Sequence, residues 1–268
     1  MPKKSQTVAL VLSLNVAGMD TATQQDMPAV VKGLAQWIEN HDVSATWGFD
    51  SPSETPLLVA VRAMQPRQEI ALVARGGWAA ADASRVLFDA ELSRRMLAAN
   101  GAGTRPSTLL VEGGATPTHL DLVEKQGISA LCRMALHESH SATTPASLWR
   151  SGWFSPSSAR AGAAPQCLKW GLWQLPAAID LARLGGWRTR QSILRRVSTE
   201  GFVHLCVDMA SLVAGGARAE RQLDAVLRLA IAGQEQGNLR LQSVAETVAQ
   251  LGTTRQRTSA RSILRGAA

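Results

Sequence analysis

The chain lacks the cysteine pattern of a disulfide scaffold. Its three cysteines, Cys132, Cys167 and Cys206, are odd in number, widely spaced and form no Cys-x-x-Cys pair. That usage points to reduced, buried thiols and a cytoplasmic setting. It also lacks any apolar run near the roughly 20 residues a membrane-spanning helix needs. The opening stretch MPKKSQTVALVLSLNVAG has the look of a signal peptide, but its apolar run is short and no A-x-A-like cleavage site precedes the fold. Val8 to Leu14 therefore reads as a first strand. The glycine pairs 113–114, 185–186 and 215–216 match neither a phosphate loop nor a dinucleotide fingerprint. There is no low-complexity majority, internal repeat or interdomain linker. Tyr is absent while Trp occurs eight times, so any aromatic ligand contact falls mainly to Trp.

Charge is unevenly placed. The formal net charge is +7, and Arg255, Arg257, Arg261 and Arg265 supply four of those charges in a segment that has no acid. The rest is only mildly basic, so charge argues for an acidic partner at the tail and not for nucleic-acid binding by the whole chain. With few apolar residues, 252–268 is expected to be a basic disordered tail beyond one domain spanning 1–251.

Within that domain short buried runs alternate with helical patterns. Val8–Leu14, Val43–Phe49, Glu69–Val73, Thr108–Val111, Ile128–Cys132, Cys167–Leu175, Phe202–Val207 and Leu239–Leu241 read as strands. Asp26–Asn40, Leu57–Met64, Ser84–Asn100, Pro117–Gln126, Arg190–Ser198, Arg218–Gln234 and Ser243–Leu251 read as helices, with Thr116 as a cap and Gly101 beyond a helix end. Such βα alternation predicts an α/β fold, an irregular (β/α) barrel of about seven parallel strands. Residues 137–166 read as a long loop.

Two segments carry a family likeness. WIENHDVSATWGF (Trp37–Phe49) and RQEIALVARGGWAAAD (Arg67–Asp82) resemble the second-strand and "G-H-E-I-G-N-H" pieces of the polysaccharide deacetylases, the NodB-homology family. The order of pieces is similar from about Thr7 to Leu251. The resemblance implies a NodB-like barrel, a carbohydrate substrate and a divalent metal held by an Asp and two His. This chain departs from that set. Ser13-Leu14-Asn15-Val16-Ala17 stands for "T-F-D-D-G", so Asn15 replaces a general base and Val16 a ligand. Val73 and Gly77 fall at the histidines, Leu110 at an arginine, and Val207 at a late catalytic histidine. Metal-assisted deacetylation needs hard or borderline ligands at fixed places. A degenerate, catalytically inactive protein of carbohydrate metabolism follows, with no metal and no cofactor, acting as a glycan-binding or regulatory partner.

The resemblance places a ligand cleft at the strand C-termini, formed by Asn15, Trp47, Asp50, Trp78, Trp173 and Asp208. The alternative is an active deacetylase or hydrolase with a rebuilt site, for which Asp50, Asp208 and Glu112 are the carboxylates. His137-Glu138-Ser139-His140 reads as loop, and His204 and Cys206 as core residues. The late Trp cluster at 149, 153, 170, 173 and 187 reads as core filling or as a glycan surface.

Overall fold

The computed structural model of the chain describes residues 7–17, 19, 29–53, 55–65, 68–80, 82–112, 117–134, 164–176, 178–180, 191 and 202–253. The first half runs β1 (Val8–Asn15), α1 (Ala29–Asn40), β2 (Thr46–Phe49), α2 (Pro56–Ala63), β3 (Glu69–Ala74), α3 (Arg85–Gly101) and β4 (Thr108–Glu112). Then follow α4 (Leu120–Lys125), β5 (Ala130–Met134), β6 (Gln166–Cys167), β7 (Trp173–Leu175), β8 (Ile179–Asp180), β9 (Phe202–Asp208), α5 (Met209–Glu235) and β10 (Leu239–Gln242). Residues 244–253 form a last helix, α6.

The strands order as β6-β7-β5-β4-β3-β2-β1-β9-β8, with β10 also on β1. Every pair is parallel except β6–β7. The sheet curls into a half-barrel, the NodB-like α/β architecture. β1 is apolar on both faces because it lies at the centre. It pairs with β9 along its length, with β10 at Val8–Val11 and with β2 at Ser13–Asn15.

Strand alternation sorts the core into layers. Leu10, Leu12 and Leu14 point outward and pack with α1, α2 and α5 through Val31, Leu58 and Leu223. Leu72, Leu109 and Leu131 point outward under α3 and α4, against Phe88, Leu92 and Val123. Val11, Val73, Leu110, Cys132, Leu175 and Cys206 fill the inside. Val244 and Val248 of α6 join that inner cluster and close the barrel floor.

Helix starts follow ordinary capping chemistry. Thr55 accepts from the Leu58 N–H at 3.2 Å with Pro56 at the first helical position, and Ser84 accepts from Leu87 N–H at 3.3 Å. Some boundaries differ from the sequence reading. α3 runs through Gly101, and the left-handed residue is Gly103 at φ +69°. α4 starts at Leu120, not Pro117. His119 Nε2 is bonded to Ala83 O at 3.1 Å and Asp121 pairs with Arg85, so the first turn forms where those partners are. α5 begins at Met209, where the sequence reading started its helix at Arg218, and Gly216 (φ 52°, ψ −150°) carries a kink between the two parts. The expected strand Cys167–Leu175 is a hairpin, reversed by Trp170 and Gly171, both left-handed. The expected helix 190–198 apart from Gln191, the turn 113–114, the loop histidines 137 and 140, Trp149, Trp153, Trp187 and the tail from 254 lie outside the described residues. Among the described residues, no helix is long and apolar enough to cross a membrane.

Candidate functional site at the barrel mouth

The inward set of β1 ends in Ser13 and Asn15, and that of β9 in Cys206 and Asp208. Register then sets Asn15 beside Asp208 and Ser13 beside Cys206. Glu112, the last residue of β4, reaches in from across the mouth. The Asn15 side chain has one orientation that suits its neighbours. Its Oδ1 accepts from the Ala17 N–H at 3.1 Å, which turns the Nδ2 amide toward two carboxylates. Nδ2 lies 3.4 Å from Glu112 Oε1 and 3.4 Å from Asp208 Oδ1. Both contacts are long for hydrogen bonds. Asp208 is held from its other oxygen, because Oδ2 accepts from the Ser211 N–H at 3.0 Å and from Ser211 Oγ at 2.5 Å as the N-cap of α5. The mouth thus presents an amide between two carboxylates, one on a helix N-terminus and the other exposed.

One layer down, His204 Nε2 lies 2.8 Å from Ser13 Oγ and Nδ1 lies 3.4 Å from Pro176 O. Burial lowers its pKa from 6.5 to about 4. The imidazole is therefore neutral, and this pairing puts its proton on Nδ1, toward the carbonyl. Burial pushes the Cys132 thiol well above its ordinary range, with the Glu69 and Cys206 charges adding to it. These groups are core polar chemistry and carry no poised nucleophile.

Asp50 stands at the rim but in another cluster. Its Oδ1 is 3.3 Å from Arg95 Nη2 and 3.6 Å from Arg75 Nε. Arg95 also pairs with Glu91 and lies over the Trp78 ring, 4.6 Å from its centroid. Trp78 packs outward with Phe88 and is buried.

Of the cleft residues expected from sequence, the structure brings together Asn15 and Asp208 and sets the others elsewhere. Trp47 is wholly buried in the outer core, with its indole N–H 3.4 Å from Gln68 Oε1. Parity explains this, since its neighbour Gly48 is the inward residue. Trp173 is inward but at the wrong end: it pairs with Ala130, the first residue of β5, and its N–H donates to Ser129 O at 2.8 Å. Trp78 and Asp50 serve the Arg95 cluster. Sequence reasoning named Glu112 only for a rebuilt site and missed Arg95. Its signal was present: Leu92, Arg95, Met96 and Ala99 share one buried helical face.

Of the residues besides Asn15 where the resemblance implies a ligand or catalytic side chain, Gly77 opens a short 3-10 turn after β3 and the other four fall into two groups. Val16 and Val207 pack in the outer core. Val73 and Leu110 point inward and meet over Gly48, where a Cβ would come 2.8 Å from Val73 Cγ2 and 2.5 Å from Leu110 Cδ1. The inside below the mouth is filled with hydrocarbon there. Among the described residues, no three His, Cys, Asp or Glu side chains converge to hold a metal ion.

No family profile and no curated protein sequence matches the chain. Solved structures do. A candidate polysaccharide deacetylase of Mycobacterium smegmatis superposes with a TM-score of 0.66 at 12% identity, over 95% of this chain and 93% of that one. A CE4-family pseudoenzyme from Bacillus anthracis superposes with a TM-score of 0.50 at 10% identity, over 91% of this chain and 66% of that one. A mutant of that pseudoenzyme with restored enzymatic activity superposes at 0.52, with 10% identity over 91% of this chain and 68% of that one. The chain has the fold of the polysaccharide deacetylases.

Proposed function

We propose that this deacetylase-fold protein holds a glycan at its barrel mouth and does not catalyse metal-dependent deacetylation. One observation carries the reading. Val73 and Leu110 close the interior over Gly48 where the resemblance implies a metal-binding histidine and an arginine. A metal that polarises an acetyl carbonyl needs oxygen or nitrogen donors at such places, and methyl groups offer none. The groups remaining at the mouth are Asn15, Glu112 and Asp208, an amide and two carboxylates. Amides and carboxylates suit sugar hydroxyls, which donate and accept hydrogen bonds.

Calorimetric titration with chitooligosaccharides tests this. Wild type is expected to bind, and Asn15→Leu and Glu112→Ala to bind about tenfold more weakly, the loss of one good hydrogen bond. Unchanged affinity in both folded variants counts against the site.

A second reading is a hydrolase with a rebuilt site. It rests on Glu112 and Asp208 both flanking Asn15 Nδ2 at 3.4 Å, as a pair of carboxylates for acid and base roles. Acetate release by wild type that is abolished in Glu112→Gln would favour it over the first.

A further inference from the structure

At the end of the barrel opposite the mouth lies a cavity of about 620 Å³, walled by α2, the start of β3, the segment after α3 and the start of α6. Its size falls in the range of small-molecule sites, roughly 300–1,000 Å³. Its polar walls divide sharply by what is already bonded.

The acceptors of Gln68, Glu69 and Glu246 are already bonded. Glu69 Oε2 takes hydrogen bonds from Thr46 Oγ1 at 2.7 Å and the Ala245 N–H at 2.8 Å. Gln68 Oε1 accepts from the Ala45 N–H at 2.9 Å, and its amide donates to Val43 O at 3.1 Å. Glu246 accepts from the Ser243 N–H at 2.9 Å and from Ser44 Oγ at 3.2 Å. The first N–H groups of α6 are also taken, by Thr46, Glu69 and Ser243.

Besides the neutral Gln65 amide, the donors left over are the guanidinium groups of Arg62 and Arg105. Arg62 uses Nη1 to donate to Ala102 O at 2.7 Å. Its guanidinium lies against Gly103, whose φ of +69° and missing Cβ make the seat, since a Cβ there would stand 3.1 Å from Nη2. The fork is thus fixed in place with N–H groups to spare. Arg105 has no hydrogen-bond or ion-pair partner among the described residues.

We propose that this cavity binds a small organic oxyanion, a phosphate or carboxylate, held between Arg62 and Arg105. Guanidinium forks match such groups with paired, charge-assisted hydrogen bonds. The volume leaves room for a carbon body besides the anionic group. The proposal is independent of what the mouth does, and its test is read without any glycan.

The experiment is thermal unfolding of the full chain with added inorganic phosphate or citrate, at ionic strength held constant with sodium chloride. A saturable rise in melting temperature with at least one of the two anions is expected. The anion that acts identifies the phosphate or the carboxylate class. Arg105→Met removes an exposed side chain with no structural bond, so it should fold and lose affinity about tenfold. Arg228→Met, an exposed arginine elsewhere on α5, and Asn15→Leu at the mouth should keep the full response. No saturable rise with either anion overturns the proposal, as does an Arg105→Met response equal to wild type.

Discussion

At the floor of the half-barrel the Glu69 carboxylate accepts at 2.7 and 2.8 Å from Thr46 and Ala245, while at the mouth Asn15 meets Glu112 and Asp208 only at 3.4 Å. The same strands build both ends. At the floor α6 packs Val244 and Val248 into the interior, and the polar groups beneath it are bonded to one another. At the mouth two carboxylates share one amide, and Glu112 is exposed. A group already bonded at good distance has little to offer a ligand, whereas a loosely bonded one can exchange its partner at small cost. The bonded groups under α6 therefore serve stability, leaving Arg62 and Arg105 as the charged donors at that end, while the proposed glycan contacts lie at the mouth, the end where βα barrels generally place their sites.

Core substitutions should show the largest effect and spare the mouth. Trp47→Ala removes a wholly buried indole beside Gln68. A loss of about 3–5 kcal/mol in urea unfolding is expected. Glycan affinity per folded molecule should be unchanged, because Trp47 faces the outer core.

Acid should find the interior next. His204 titrates at about 4 when folded, against an ordinary 6.5. Below pH 6.5 the unfolded chain takes up a proton that the folded chain refuses until about pH 4. Stability is therefore lost as pH falls through that window, by about 3 kcal/mol. Glu69 has the opposite sign: burial raises its pKa, so its contribution is present below 4.5 and lost as pH rises. His204→Asn should flatten the acid limb between pH 6.5 and 4, whatever it costs at neutral pH. An unchanged limb would remove His204 as the cause.

The mouth should respond least in stability. Asp208→Ala loses the N-cap of α5 and should cost about 1 kcal/mol. Glu112→Ala should stay within about 0.5 kcal/mol, as expected for an exposed side chain. A Glu112→Ala variant that unfolds several kcal/mol more easily would make the mouth a structural element like the floor, and the contrast between the ends would fail.

Much of the fold was legible because strand and helix periods are local properties. Val8–Leu14 and Phe202–Val207 read as strands from their apolar runs, and Ser84 marked the start of α3. The mouth was legible only where parity and a strand end coincided, as at Asn15 and Asp208. Trp47 was misplaced because one step along β2 exchanges the inner and outer faces. Trp173 was misplaced because the hairpin at Trp170 and Gly171 sets its level on β5, and that pairing is not local. The Ser13–His204 bond spans 191 positions and depends on β1 and β9 being neighbours. Arg95 was passed over because a charged residue on a buried helical face is explained only by its partners, Asp50, Glu91 and Trp78.

On the proposed reading the mouth keeps the deacetylase fold without its metal chemistry. The decisive measurement is acetate release from chitooligosaccharides, with the purified protein supplied in turn with zinc, cobalt, nickel or a chelator. No acetate above the protein-free control is expected in any of them. Acetate released with a metal and suppressed by the chelator would overturn the reading.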